Sequence, residues 1–408
     1  CRKSELSGGT MCPSFMATKN EKDTTRARAN IMRDVLTNST NLNKFDSEEI
    51  KEVMDLCLSC KGCKKECPSN VDVAKLKAEF YEQYFKSNKV PLRTKIIANV
   101  TAANKLGAIV PGLYNFVNGE NAIGNFIKGA IGFAKERPVP KIAYETVEKF
   151  YSRNKSNNFG YPKPTRGKVI FFTDEFTNYN DDHEGKIAIK TLAKLGFDVV
   201  APKVKESGRT WLSKGLVSKA KKPIIQNIHI LKNLVSEGTP LVGIEPSSIL
   251  IFRDEYLDLT SGEVHEAAQK IANNTFLIDE FLSKLVQEGS VTQDMFKKES
   301  HLIKLHGHCH QKALSSLTHT KRILSFPENH KVHLIPSGCC GMAGSFGYEK
   351  EHYKVSMDVG ELILFPAIRS QPDDVIIAAP GTSCRHQIKD GTGRTAVHPV
   401  EIFYNSLI

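Results

Sequence analysis

The sequence predicts a helical, cysteine-bearing N-terminal module followed by two duplicated α/β units, each a parallel sheet of βαβ type. Three observations carry this expectation. The ten cysteines fall into two groups, Cys1, Cys12, Cys57, Cys60, Cys63 and Cys67, then Cys309, Cys339, Cys340 and Cys384, with a long cysteine-free stretch between them. From about residue 166 the pattern changes to short β-rich runs separated by helical stretches. Those runs, at 169–172, 199–200, 241–244, 302–305, 332–335 and 375–377, start 30 and 42 residues apart in the first half and 30 and 43 apart in the second. An offset near 133 residues therefore relates two copies of one unit. The expected division is a helical module over 1–86, a helical linker over 87–165, and repeats over 166–295 and 296–408.

Composition bounds the rest. A chain of 408 residues has room for two or three domains, each with its own core. Apolar content of 40% and charged content of 25% describe an ordinary globular protein. Neither an uncharged apolar run long enough for a membrane span nor a signal peptide is visible. The chain starts at Cys1 rather than Met, which reads as a fragment or a processed chain. The cysteine usage suits reduced thiols in a cytosol-like compartment. A formal charge of +11 raises nucleic acid as a partner, but Lys and Arg are spread along the chain without a nucleic-acid-binding signature.

Cys57, Cys60, Cys63 and Cys67, followed by Pro68, form the run C-x2-C-x2-C-x3-C-P. This is the bacterial ferredoxin spacing for a [4Fe–4S] cluster. Three thiolates wrap a short turn around one cubane, and Gly62 is expected to let the backbone approach its sulfides. Structural zinc would favour two C-x2-C pairs set further apart, with no need of the Cys-Pro ending. In this spacing the fourth cysteine serves a second cluster, which predicts an upstream Cys-Pro, and Cys12-Pro13 is present. Cys12 should complete the cluster of Cys57, Cys60 and Cys63. Cys67 should belong to a second cluster with Cys1, left incomplete in this chain.

The connecting residues look helical. Asp46 and Glu49 form a capping box before Ile50, Val53, Met54 and Cys57 on one face. Val73, Leu76, Phe80 and Tyr84 predict another helix after Pro68. Residues 23–37 predict a capped basic helix, whose Arg26 and Arg28 either stabilise anionic clusters or form a solvated face. The region 87–150 alternates Lys89, Arg93, Lys95, Lys105 and Lys128 with Ile96, Ile97, Val110, Leu113, Phe116, Phe126 and Ile131. Two roles suit it: a cover for the cluster module, or a basic amphipathic surface for an anionic bilayer.

In the second repeat, cysteines stand at the expected C-terminal ends of three strands, where parallel sheets bind ligands. Cys339-Cys340-Gly341, with Gly344 and Gly347, is a tight turn carrying adjacent thiols that suit bridging irons in a larger cluster; the plainer reading is buried core thiols. The offset sets Phe176 against Cys309, Glu206 against Cys339, Ser207 against Cys340 and Gly208 against Gly341, so the first copy lacks sulfur. His306, His308 and His310 flank Cys309; on an extended run they share a face, open to metal ligation, proton relay or anion binding. Arg385 and His386 follow Cys384 at an expected helix start, where their charge would tune a thiolate. His398 reads as structural.

These residues resemble the cysteine-rich CCG domain of heterodisulfide reductase-type proteins, found also in the iron–sulfur subunits of glycolate oxidase and of anaerobic glycerol-3-phosphate dehydrogenase. Residues 9–14, 306–311, 338–348 and 382–386 further resemble large fused flavin-linked oxidases acting on D-2-hydroxy acids such as D-lactate or D-2-hydroxyglutarate. The resemblance implies an upstream half, or separate flavoprotein, holding FAD and substrate. This half would receive electrons and pass them to quinone or a carrier, in the cytoplasm or peripherally on the cytoplasmic face of the inner membrane. Two departures stand out: Gly381 replaces the first cysteine of a C-x2-C ending at Cys384, and the first copy has Glu206, Ser207, Gly208 and Ser248 in its site. Cys309, Cys339, Cys340 and Cys384 then hold a third cluster or form redox thiols. A thiol–disulfide reductase, a glycerol-3-phosphate dehydrogenase iron–sulfur subunit and a non-enzymatic scaffold for a flavoprotein are the competing readings.

Overall fold

The computed structural model describes residues 2–408. Five helices, Pro13–Thr18, Thr25–Asn38, Glu48–Asp55, Gly62–Glu66 and Val73–Ser87, form the N-terminal module. Side-chain caps start three of them: Thr24 accepts from Ala27 N, Ser47 from Ile50 N, and Asp72 from Ala74 N and Lys75 N. The expected cap at Asp46 is thus corrected by one residue, because Asp46 accepts instead from the Asn88 amide at 2.7 Å. Met32, Ile50, Met54, Val73, Phe80 and Tyr84 make one core with Cys12, Cys57 and Cys63. Leu76, expected on that face, is exposed.

Four short helices follow, Leu92–Ala98, Val100–Gly107, Pro111–Val117 and Ala122–Ile131. They do not bury most of their apolar side chains. Leu92, Leu106, Ile109, Leu113, Phe116 and Phe126 are each exposed by 60% or more. No helix of the described residues is long and apolar enough to cross a membrane.

The rest is built on two small parallel sheets. The first holds β1 (Lys168–Phe171), β2 (Asp198–Val200), β3 (Leu241–Gly243) and β4 (Thr275–Leu277), in the order β2-β1-β3-β4. The second holds β5 (His301–Leu305), β6 (His330–Leu334) and β7 (Ile376–Ala378), in the order β6-β5-β7. In both, the first strand is central, with the second on one side and the third on the other. Ile170 pairs with Val200 and Leu241 as Ile303 pairs with Val332 and Ile376. All six predicted runs are strands to within two residues; β4 is an addition.

The sheets share one core. Val169, Phe171, Val199 and Val242 from the first cluster with Ile303, Leu305, Val332 and Ala378 from the second. Ala188, Ile189 and Leu192 of helix Asp182–Lys194 and Val400, Ile402 and Phe403 of helix Pro399–Ser406 complete it. Burial on this scale, at about 25 cal/mol per Å² of apolar surface, fixes the C-terminal ends of the strands relative to each other.

Candidate metal centres

Cys12 sits immediately before helix Pro13–Thr18, Cys57 just past helix Glu48–Asp55, and Cys60 and Cys63 flank the start of helix Gly62–Glu66. Ser59 and Lys61 take left-handed conformations, φ 51° and 58°, which curl the intervening loop. The result is one small cavity lined by all four cysteines. Gly62 serves a close approach other than the expected one: a Cβ there would lie 3.0 Å from Thr10 Cβ.

Donors converge on these sulfurs. Val73 N–H donates to Cys63 Sγ at 3.3 Å, and Arg28 Nη1 to Cys12 Sγ at 3.1 Å. Arg28 is 1% exposed; its other donors go to Val53 O and Ser14 Oγ, and Cys57 and Cys12 favour its charge more than Asp23 does. A buried guanidinium needs anions beside it, and the cavity thiolates are placed to be among them. Burial pushes the Cys60 thiol well up and the Cys63 thiol up to about 11, so holding both as thiolates calls for a cation between them. Four sulfur donors around one cavity, with a buried positive charge behind them, fit a [4Fe–4S] cubane. Arg26, by contrast, is exposed and pairs with Glu21.

Cys67 does not line this cavity. It lies half-buried at the end of helix Gly62–Glu66, where the amides of Val71, Ser69 and Asn70 hold its thiol below the ordinary value. Its expected companion, Cys1, lies outside the described residues.

Cys309, Cys339, Cys340 and Cys384 are brought together at the C-terminal ends of β5, β6 and β7, and all are buried. Cys309 Sγ lies 3.8 Å from Cys339 Sγ. Contact with Cys339 lowers Cys309 to about 7, and contacts with Cys339 and Cys384 hold Cys340 well below its usual value. Gly341 has φ 97° and a Cβ there would meet Ser356 O at 2.2 Å, so the turn needs glycine. Lys312 Nζ donates to Ser337 O and Gly338 O at 2.6 and 2.7 Å, pinning the backbone that leads into the turn.

The three histidines around Cys309 do not share a face, because β5 stops at Leu305. His306 is fully buried, with Nδ1 2.7 Å from Ser337 Oγ and a ring nitrogen within 4.8 Å of the Cys340 and Cys384 thiols. His308 caps helix Cys309–Leu314 and stands 4.0 Å from Glu245 Oε1. His310 Nε2 lies 3.1 Å from Ser59 O of the cluster loop. Arg385 pairs with Asp181 and donates to Pro380 O, and His386 Nδ1 meets Tyr348 Oη at 3.3 Å. Sequence reasoning set His306 among its neighbours without distinguishing it, and missed Lys312; nothing local marks either.

The two cysteine sites adjoin. Leu58 and Cys60 of the cluster loop pack with Cys309, Cys339, Phe346 and Val359. Lys61 enters the first α/β unit, reaching Asp254 Oδ2 at 2.7 Å and Glu255 Oε1 at 2.9 Å. The first sheet's corresponding turn is oxygen-lined: Ser207 Oγ donates to Glu175 Oε1 at 2.7 Å, and Gly208 has φ 90°. Phe176 and Ser248 also offer no sulfur there.

Comparison with known proteins matches a 4Fe-4S dicluster domain over residues 1–72. The chain is similar to D-2-hydroxyglutarate dehydrogenase of Escherichia coli (strain K12), 25% identical over 433 residues, covering 96% of this chain and 41% of that protein. The Pantoea ananatis (strain AJ13355) protein of the same name is 27% identical over 401 residues, covering 95% of this chain and 38% of its own length. A subunit of the anaerobic glycerol-3-phosphate dehydrogenase of Escherichia coli (strain K12) is 24% identical over 342 residues, with 83% of each chain covered. The chain thus spans about two-fifths of the D-2-hydroxyglutarate dehydrogenases it matches. No solved structure matches it. The relatives are dehydrogenases, and the resemblance read from the motifs is borne out.

Proposed function

We propose that this chain is the electron-transfer iron–sulfur portion of an FAD-dependent D-2-hydroxy-acid dehydrogenase, taking electrons from a flavin domain or subunit and passing them to a quinone or carrier. The observation that carries this reading is the shared cavity of Cys12, Cys57, Cys60 and Cys63, packed directly against the buried four-cysteine site. A cubane cluster bound there would exchange single electrons. The chain's own residues supply the rest: Arg28 and Val73 direct N–H groups at sulfur, Leu58 and Phe346 exclude water between the sites, and Lys61 holds the loop in place.

The division into a module over 1–86, a linker over 87–165 and repeats over 166–295 and 296–408 belongs to this reading, as does their identity as duplicated CCG domains. The matching strand orders and the paired left-handed glycines, Gly208 and Gly341, support the duplication. Cys67 and Cys1 would serve a second cluster, and Cys309, Cys339, Cys340 and Cys384 a third centre. The burial of those four thiols weighs against a thiol–disulfide reductase, whose substrate must reach sulfur. The exposed apolar and basic residues of 89–126 support peripheral contact with an anionic bilayer, and a position on the cytoplasmic face of the inner membrane belongs to the same reading.

Anaerobic reconstitution with iron and sulfide, followed by EPR of the dithionite-reduced chain, tests the proposal. A [4Fe–4S] signal that disappears in C57S, C60S and C63S is expected. No such signal, or one indifferent to all three substitutions, would sink it.

A further inference from the structure

His306 has no part in the electron path described above, yet among the described residues it is the one histidine whose ring groups with the buried Cys340 and Cys384 thiols. Its imidazole is fully buried. Nδ1 is engaged by Ser337 Oγ at 2.7 Å; Nε2 has no nitrogen or oxygen partner, and the ring's remaining polar contact is the Cys340 thiol. A buried ring nitrogen that meets only sulfur is weakly satisfied unless something else in the site uses it. What lies beside it is sulfur: a His306 ring nitrogen and the thiols of Cys340 and Cys384 are all within 4.8 Å of one another. Cys340 in turn touches Cys339, which lies 3.8 Å from Cys309. The donors therefore number four sulfurs and one nitrogen, converging from the ends of three adjacent strands.

Ser337 gives the arrangement its direction. With the Nδ1 proton donated to Ser337 Oγ, the Nε2 lone pair is left free, the tautomer in which imidazole ligates a metal. Lys312 holds the carbonyls of Ser337 and Gly338, so the hydroxyl that orients the ring is itself fixed. No further sulfur is available from helix Thr382–Thr392: at Gly381 a Cβ would lie 2.4 Å from His308 Cδ2.

We propose that His306, through Nε2, is the nitrogen ligand of an iron–sulfur centre held by Cys309, Cys339, Cys340 and Cys384. Five donors exceed the four positions of a structural zinc ion, whereas adjacent cysteines with a third and fourth thiol suit a centre of more than one iron. Neutral imidazole in place of a thiolate removes one negative charge, and histidine ligation raises the potential of an iron–sulfur centre.

The inference rests on the iron–sulfur reading above, and the EPR signal tied to Cys57, Cys60 and Cys63 reports on that reading separately. The test uses the full chain, grown with 15N-histidine, reconstituted anaerobically with iron and sulfide and examined by pulsed EPR across a redox titration. Expected is a strongly coupled histidine nitrogen on a signal that C340S abolishes and C57S leaves. H306C should keep that centre, lose the nitrogen coupling and titrate at lower potential; S337A should keep the coupling with altered magnitude. Three results would overturn the proposal: no histidine coupling on the loaded centre, a coupling that survives in H306C, or stoichiometric zinc there without iron beyond the N-terminal module's.

Discussion

Lys61 Nζ and Asp254 Oδ2 lie 2.7 Å apart, 193 positions apart in sequence and both almost wholly excluded from water. Glu255 and Asp72 also face this ammonium, while Lys64 and Lys75 reach Asp254 from the rim and Arg209 reaches Glu255. The loop bearing Cys60 and Cys63 is thereby fastened to the first α/β unit. Removing one member of a buried ion pair strands its partner, at a cost of about 3 kcal/mol. K61M should lose about that much stability in urea unfolding, and its [4Fe–4S] signal should broaden as the loop loosens. A change under about 0.5 kcal/mol, the range of an inert surface substitution, would show that the rim cations suffice.

Asp279 predicts a stability that falls as pH rises. Burial pushes its carboxyl up to about 6; Oδ2 accepts from Thr320 Oγ1 at 2.6 Å and Oδ1 has no partner. Its unfolded value is near 4. Between those values the folded chain keeps a proton the unfolded chain has released, so stability is fullest below about 4 and is lost through about 6. D279N removes the buried charge and should gain roughly 1–3 kcal/mol over the parent at pH 7.5, shrinking to about a third of that gain at pH 4.5. Unfolding curves that differ equally at both pH values would refute the assignment.

How far the sequence foretold this arrangement depended on range. β1–β3 and β5–β7 were legible because each is a run of β-branched or aliphatic residues between helical stretches. β4 was not: Thr275, Phe276 and Leu277 pass directly between helices Gly262–Asn273 and Ile278–Gln287 with no turn signal. The cysteine sites were legible as spacings, since chemistry demands particular residues at particular steps. Their adjacency was not, because the packing of Cys60 with Cys309 depends on how two modules dock. His306 was hidden for a related reason. The end of β5 turns its ring away from the alternation that would have grouped it with His308 and His310.

The linker helices predict binding to anionic vesicles. Nine of the sixteen exposed large apolar side chains among the described residues fall between Leu92 and Phe126. Exposed Lys89, Lys95 and Lys105 accompany them, whereas Arg93 is paired with Glu351, and residues 88–119 contain no Asp or Glu. An interfacial patch of this kind combines apolar insertion with attraction to anionic headgroups. F116E and F126E should each weaken sedimentation with phosphatidylglycerol vesicles by about tenfold, the worth of one inserted aromatic ring. Binding should also fall between 50 mM and 500 mM salt, as the Debye length shrinks. Equal binding of parent and variants would leave the patch without this role.

Arg28 predicts the potential of the first centre. Its guanidinium stands 3.1 Å from Cys12 Sγ, and Cys57 and Cys12 favour its charge more than Asp23 does, so that charge acts on the sulfurs. Reduction adds an electron, and a fixed positive charge stabilises the more negative state more strongly. Removing that charge should therefore lower the midpoint. A hydrogen bond to a charged group contributes about 1.5–3 kcal/mol, equivalent to roughly 60–130 mV for one electron. R28M should shift the signal that depends on Cys57, Cys60 and Cys63 downward by an amount of that order. R28K, which keeps the charge but gives up the fork reaching Val53 O and Ser14 Oγ, should shift it less. The signal tied to Cys340 should move little in either variant, because Arg28 lines the first cavity. An unchanged midpoint in R28M, with the cluster fully loaded, would mean that Arg28 only braces the fold.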